Sequence, residues 1–250
     1  LAEIIDDFIA DCPVMPMNEV VYFQQNTPNG SFRFGSSSNG YAYQFPPYGP
    51  SNDPARQLTE SWQTLTVGAR LSITWAEAFM RGVRSTAIPD DTLVRWVRSM
   101  IEQTRYLTNV AGSNNWLAVE TSGIHTIGIL FPEFLHTPLW RMEAVNRAQL
   151  ELNRQVFADG VQKEYSPLYH GTTLNNFAGI RDNELGNRGS FPDESSDRLE
   201  KMYEYYLYAA DPQRRYIPLN DSDTFSVKNL LADGFSRFPS RTDFQFIATD

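Results

Sequence analysis

The chain has 250 residues, 41% of them hydrophobic and 13% aromatic, with a formal net charge of -9. That size and apolar share suffice for a packed core without disulfides, and the one cysteine, Cys12, excludes both an internal disulfide and a metal site built on cysteine. The acidic balance excludes the basic footprint of a nucleic-acid binder, and no apolar run approaches the roughly 18 residues of a membrane span.

Residues 1 to 12 read as a short helix stopped by Cys12-Pro13. It carries Asp6 and Asp7 and lacks a basic n-region, so it is not a signal peptide. Residues 25 to 54 are rich in Gly, Ser, Asn and Pro and are interleaved with Phe32, Phe34, Tyr41, Tyr43, Phe45 and Tyr48. They read as a long ordered loop. Residues 1–56 are therefore expected to be a helix and loop packed on a helical domain at 57–250. From Pro54 the pattern is helical, with Leu65, Ala69, Ile73 and Ala76 on one face. Pro89-Asp90-Asp91 opens the next helix, with Leu93, Val94, Trp96, Val97, Met100, Ile101 and Leu107 as its apolar face.

Ala111-Gly112-Ser113 breaks that pattern. A third helix carries Leu117, Ile124, Ile127 and Leu130 and ends at Pro132. A fourth runs from about Pro138 to Ala158, stopped by Asp159-Gly160. Shorter helices are expected at 169–182, 193–210 and 225–235, and no β-hairpin stands out. The expected class is all-α, with helices in series. Periodicity leaves a bundle, a solenoid and an α/α toroid open.

Three segments hold residues suited to chemistry. In Ser113-Asn114-Asn115-Trp116, Ser113 or Asn114 is a candidate helix cap, and Asn115 falls near the first turn. There its amide can donate into a cleft, aided by the positive end of the helix. Capping is the alternative role. In Ser166-Pro167-Leu168-Tyr169-His170, the phenol can donate a proton, or act as a base where a positive neighbour lowers its pKa. The alternative is a satisfied core tyrosine beside a capping histidine. His125 reads as structural. Glu120, Asp159 and Glu164 could supply a paired-carboxylate hydrolase site if two of them approached closely enough. Three histidines are too few for a His-rich metal centre, and no metal is expected.

Asn115-Trp116, Glu120, Gly123 and Gly128-Ile129-Leu130-Phe131-Pro132-Glu133-Phe134, followed by Asp159-Gly160, Glu164, Ser166-Pro167 and Tyr169-His170, resemble the heparinase II/III-like polysaccharide lyases, in the heparinase III-like branch. Trp62 to Arg70, with Trp75 and Phe79, resembles the preceding helix of that family. Leu219-Asn220-Asp221-Ser222 and Arg241-Thr242-Asp243-Phe244 resemble the end of its helical domain. The likeness covers about residues 57 to 250.

The resemblance implies an incomplete α/α toroid, cut before a carboxy-terminal β-sandwich domain that supplies further histidines. It implies β-elimination on a uronate-containing glycosaminoglycan such as heparin or heparan sulfate, with no cofactor. Asn115 takes the role of neutralising the uronate carboxylate and Tyr169 the acid/base role. Trp116, Glu120, His170 and Arg70 are implied to bind substrate. The expected partner is an acidic polysaccharide, with neither nucleic acid nor membrane, and the expected location is periplasmic or secreted. An anionic substrate would have to be met by a local cluster drawn from the eighteen arginines. Without the β-sandwich, this chain is expected to be poorly active. Trp116 stands where related alginate lyases carry a histidine, which weakens alginate as the alternative substrate. A non-catalytic glycan-binding helical domain is the alternative from another class.

Overall fold

A computed structural model describes residues 1–12 and 61–249, with the backbone of four two-residue strands between them. Most of the expected loop at 25–54, and the boundary at 56/57, lie outside the described residues. The strands β1 (Tyr22–Phe23) and β4 (Ala42–Tyr43) pair antiparallel, as do β2 (Asn26–Thr27) and β3 (Gly30–Ser31). The second pairing is a hairpin that the sequence did not reveal. Two residues per strand are too few to show alternation.

The chain divides into two compact units, Leu1–Ala144 and Val145–Asp250. In the first, α1 (Ala2–Asp11) packs on α4 (Asp90–Asn109). Ile5 is buried there, and Asp6 accepts hydrogen bonds from Thr92 Oγ1 and Arg95 Nε, each at 2.8 Å. Helices α2 (Thr64–Ala69) and α3 (Ala76–Gly82) are joined by a π-helical segment, Arg70–Trp75.

This segment corrects the expected apolar face. Ile73 is 59% exposed, and the buried stripe is Val67, Leu71, Trp75 and Phe79. Steps of four residues overshoot an α-helical turn by about 40° each. A wider π turn absorbs that surplus and keeps the stripe on one face. Ser72 Oγ donates to Gly68 O and Thr74 Oγ1 to Arg70 O, back-bonds that compete with the α-helical ladder.

Along α4, Trp96, Met100 and Leu107 are fully buried as expected, whereas Val94 is 67% exposed. Trp75 and Phe79 meet Trp96 edge-on, with centroids 6.1 and 5.5 Å away. Such aromatic pairs contribute about 0.5–1.5 kcal/mol each beyond their burial. Helix α5 (Asn114–Leu130) lies against α2 with almost no spacing. A Cβ on Gly68 would fall 2.7 Å from Glu120 Cα, and one on Gly123 would fall 2.9 Å from the Gly68 carbonyl oxygen. Glycine at both positions lets the two backbones touch.

The unit boundary falls within α6 (Thr137–Gln155). The second unit continues with α7 (Pro167–Gly186), α8 (Asp193–Ala209), α9 (Lys228–Arg237) and α10 (Thr242–Thr249). Gly160, at φ +90°, turns the chain against the Lys201 carbonyl, where a side chain would collide. Helix α10 was not anticipated, since eight residues hardly outlast two helical turns. Tyr203, Tyr206 and Tyr216 are buried in this unit; Tyr206 and Tyr216 pack with Phe225, and Tyr203 packs with Phe238 and Phe244. Its arginines are largely occupied. Arg237 pairs with Asp182 at 2.7 Å, and Arg241 pairs with Glu200, Glu204 and Asp243 at 2.9, 2.9 and 2.7 Å.

Candidate active site

The residues singled out from sequence fall into both units. Arg70, Asn115, Trp116 and Glu120 belong to the first, and Tyr169 and His170 to the second.

Helix α5 opens after Ser113, whose backbone is extended and whose side chain makes no capping bond. Asn114 follows at φ +56°, a left-handed conformation that asparagine tolerates better than most residues. Asn115 is therefore in the first helical turn and buried, with Trp116 half-buried beside it. Glu120 is fully buried and receives the Gly112 amide hydrogen on both carboxylate oxygens, at 2.8 and 3.1 Å. It thus ties down the loop just ahead of Asn115. A Cβ on Gly112 would stand 2.6 Å from Glu120 Oε1, so this close clamp requires glycine.

Arg70 is buried in the first unit. It donates to Gln103 Oε1 at 2.8 Å and to the Ser61 carbonyl at 2.5 Å, and its guanidinium lies over the Phe8 ring at 4.3 Å. Burial lowers its pKa to about 10. Through these contacts it joins α1, the π segment and α4.

In the second unit, Ser166 caps α7. Its hydroxyl accepts from the Tyr169 amide, and Pro167 occupies the first turn, where a missing N–H costs nothing. Tyr169 is half-buried at the helix mouth, and its hydroxyl donates to Asp221 Oδ2. That hydrogen bond raises the phenol pKa, and desolvation and the charges of Asp221 and Glu164 push the same way. Tyr169 is accordingly a protonated phenol, fitted to give a proton.

The loop that carries Asp221 is tied to the same helix start. Ser166 Oγ donates to the Asp221 carbonyl at 2.8 Å, the Leu168 amide donates to Ser222 Oγ at 3.2 Å, and Asn220 Nδ2 donates to the Tyr165 carbonyl at 2.9 Å. Asp221 had no role in the sequence reading. Its motif stood out only as part of a resemblance.

His170 points away from this mouth and is 2% exposed. Nε2 donates to the Met202 carbonyl at 2.9 Å, and Nδ1 accepts from the Gln162 amide at 3.4 Å. This pattern is satisfied by the neutral ring. Burial lowers the pKa to about 4, and the ring lies 4.5 Å from Tyr205, centroid to centroid. The expected substrate contact is replaced by a packing role between α7 and α8.

The family model described as heparinase II/III N-terminus matches residues 4–246. The chain belongs to the heparinase II/III N-terminus family. The family match begins well before residue 57, so it takes in the amino-terminal segment as well. Two heparin-sulfate lyases are similar in sequence. That of Bacteroides stercoris is 27% identical over 197 residues, covering 76% of this chain and 29% of the relative. That of Pedobacter heparinus is 26% identical over 196 residues, with the same coverage. The chain thus spans less than a third of the length of these curated relatives.

Among solved structures, the heparan sulfate lyase HepC of Pedobacter heparinus matches 80% of this chain and 32% of its own, with a TM-score of 0.64 and 25% identity. A heparinase III structure matches all of this chain and 36% of its own, at a TM-score of 0.67 and 24% identity, a likeness of fold. The all-α class expected from the periodicity agrees with both. Among the described residues, no helix is long and apolar enough to cross a membrane.

Proposed function

We propose that this chain is the helical part of a polysaccharide lyase that cleaves a uronate-containing glycosaminoglycan of the heparan sulfate type by β-elimination. The observation that carries the reading is the protonated Tyr169 phenol at the mouth of α7, within a chain of the heparinase II/III N-terminus family. Elimination requires a general base to take the C5 hydrogen of the uronate, which is weakly acidic, as the C4–O4 bond breaks; a histidine of the carboxy-terminal β-sandwich that the resemblance implies would supply that base. A donor that holds the carboxylate in an enolate-like form lowers the barrier to that loss. Asn115, in the first turn of α5 behind the Gly112–Glu120 clamp, supplies this donor. Tyr169 gives its proton to the departing O4, the general-acid role that a raised phenol pKa suits.

The names of the relatives support the substrate class. A paired-carboxylate hydrolase is less well supported, because both oxygens of Glu120 are turned to the Gly112 amide. A polysaccharide substrate also fits a periplasmic or secreted protein, which cell fractionation would test.

The decisive experiment uses the product of the complete gene with heparan sulfate. Release of 4,5-unsaturated uronate, followed by its ultraviolet absorbance, is the expected outcome. Tyr169→Phe should abolish it, and Asn115→Ala should lower kcat on the order of a hundredfold or more. Saturated products would indicate a hydrolase, and near-normal kcat in Tyr169→Phe would sink the assignment.

A further inference from the structure

We propose that Asp221 is a positioning residue for the reaction: its carboxylate receives the Tyr169 hydroxyl hydrogen and holds that phenol as an aimed proton donor. The inference rests on the reading of Tyr169 as the acid. Asp221 does not touch the substrate in this account; it acts through Tyr169.

Four hydrogen bonds bring the two residues together across 52 positions of sequence, and three of them do not involve the phenol. They are Ser166 Oγ to the Asp221 carbonyl, the Leu168 amide to Ser222 Oγ, and Asn220 Nδ2 to the Tyr165 carbonyl. The loop is therefore pinned on both sides of Asp221, to the residues that cap and open α7. The carboxylate has little freedom to leave, and the phenol, three residues past the Ser166 cap, has a fixed base. This is a built arrangement, unlike a chance surface contact between two flexible side chains.

Its chemical effect has a definite sign. A phenolate formed beside the Asp221 carboxylate would face a like charge at hydrogen-bond distance, with Glu164 adding to the repulsion. Tyr169 consequently keeps its proton as the pH rises. When a glycosidic oxygen arrives, the hydroxyl turns about its Cζ–Oη bond from the carboxylate to O4. The proton then passes to O4 as the C4–O4 bond breaks, and the phenolate left behind, disfavoured beside Asp221, takes a proton back from water. Asp221 thus prevents Tyr169 from idling as a phenolate and sets the direction from which its hydrogen departs.

The test has one arm on this chain and one on the product of the complete gene. In the 250-residue chain carrying Cζ-labelled tyrosine, the Tyr169 resonance is assigned by its loss in Tyr169→Phe and titrated by NMR. The wild-type phenol should titrate above the usual tyrosine value of about 10. Asp221→Asn, which keeps an acceptor but removes the charge, should raise its ionisation constant about threefold to tenfold. In the active protein, the alkaline limb of the kcat–pH profile should move down by the same factor in Asp221→Asn, with KM little changed. A purely structural Asp221 would not move that limb. A wild-type phenol titrating at or below the usual value overturns the proposal, whatever the variant does. An unmoved resonance and limb in Asp221→Asn also overturn it. If the resonance shifts as expected but Tyr169→Phe still turns over substrate, the pairing stands and the reading of Tyr169 as the acid is what fails.

Discussion

Both carboxylate oxygens of Glu120 accept the amide hydrogen of Gly112, so a fully buried acid in the second turn of α5 fixes the loop that delivers Asn115. A buried charge of this kind is tolerated only with partners in place. It explains why a glutamate sits in the interior next to a candidate substrate-facing turn.

Removing that acid should be costly. Glu120→Ala leaves the buried Gly112 amide without this acceptor and opens a void, a loss of about 2–4 kcal/mol. The thermal midpoint should fall on the order of 5–10 °C in a chain of this size. Gly112→Ala should destabilise as well, because its methyl would stand 2.6 Å from Glu120 Oε1. The two losses should not add, since the clash vanishes once the carboxylate is gone. A double-mutant cycle by denaturant unfolding should show coupling of about 1 kcal/mol or more. Simple additivity would disprove the clamp.

The pH dependence of stability should carry the mark of His170. Its folded pKa, about 4, lies below the ordinary histidine value, so the folded state binds fewer protons than the unfolded state between about 4 and 6.5. Stability from this residue is complete above pH 6.5 and is lost as the pH falls towards 4, by up to about 3 kcal/mol. His170→Gln should be less stable at neutral pH and should flatten the curve in that window. Equal slopes in both proteins between pH 6.5 and 4 would contradict the buried neutral ring.

Arg70 offers a clean division between packing and binding. Arg70→Met should cost about 2 kcal/mol, because the buried Gln103 loses its charged partner. Affinity for heparan sulfate oligosaccharides, measured by calorimetry well below the unfolding temperature, should remain as in the wild type. A large loss of affinity with an unchanged melting temperature would restore the substrate role expected from sequence.

Much of the fold was legible because its signals are local. Pro89 and two aspartates open α4, and Trp96, Met100 and Leu107 recur on its inner face at helical spacing. Ile73 and Val94 misled because an apolar side chain on a helix surface looks the same in sequence as one in the core. Only the π segment, invisible to a fixed period, decides which face Leu71 and Trp75 take.

The candidates Asn115 and Tyr169 stood out in sequence through their flanking motifs, and the start of α7 through Ser166-Pro167. Their controlling partners did not. Glu120 read either as a substrate contact or as a residue that orients Asn115 and its neighbours, and its bonds to Gly112 favour the second. His170 stood next to Tyr169 in sequence as an implied substrate contact, although its ring turns inward to Met202. Asp221 had no signal of its own, since a hydrogen bond across 52 residues leaves no periodicity to read.

The tie between the loop at 220–222 and the start of α7 also bears on how the protein is made. Synthesis runs from the amino end at roughly 5–20 residues per second, so Asp221 is added about 3–10 seconds after Tyr169. During that interval the tyrosine has left the peptidyl transferase centre, but its acceptor does not yet exist. The start of α7 can form early on its own Ser166 cap, whereas the orientation of the hydroxyl must await a later stretch of the nascent chain. Codon choice between these two positions would then tune how long the Tyr169 hydroxyl waits on the ribosome for its Asp221 acceptor.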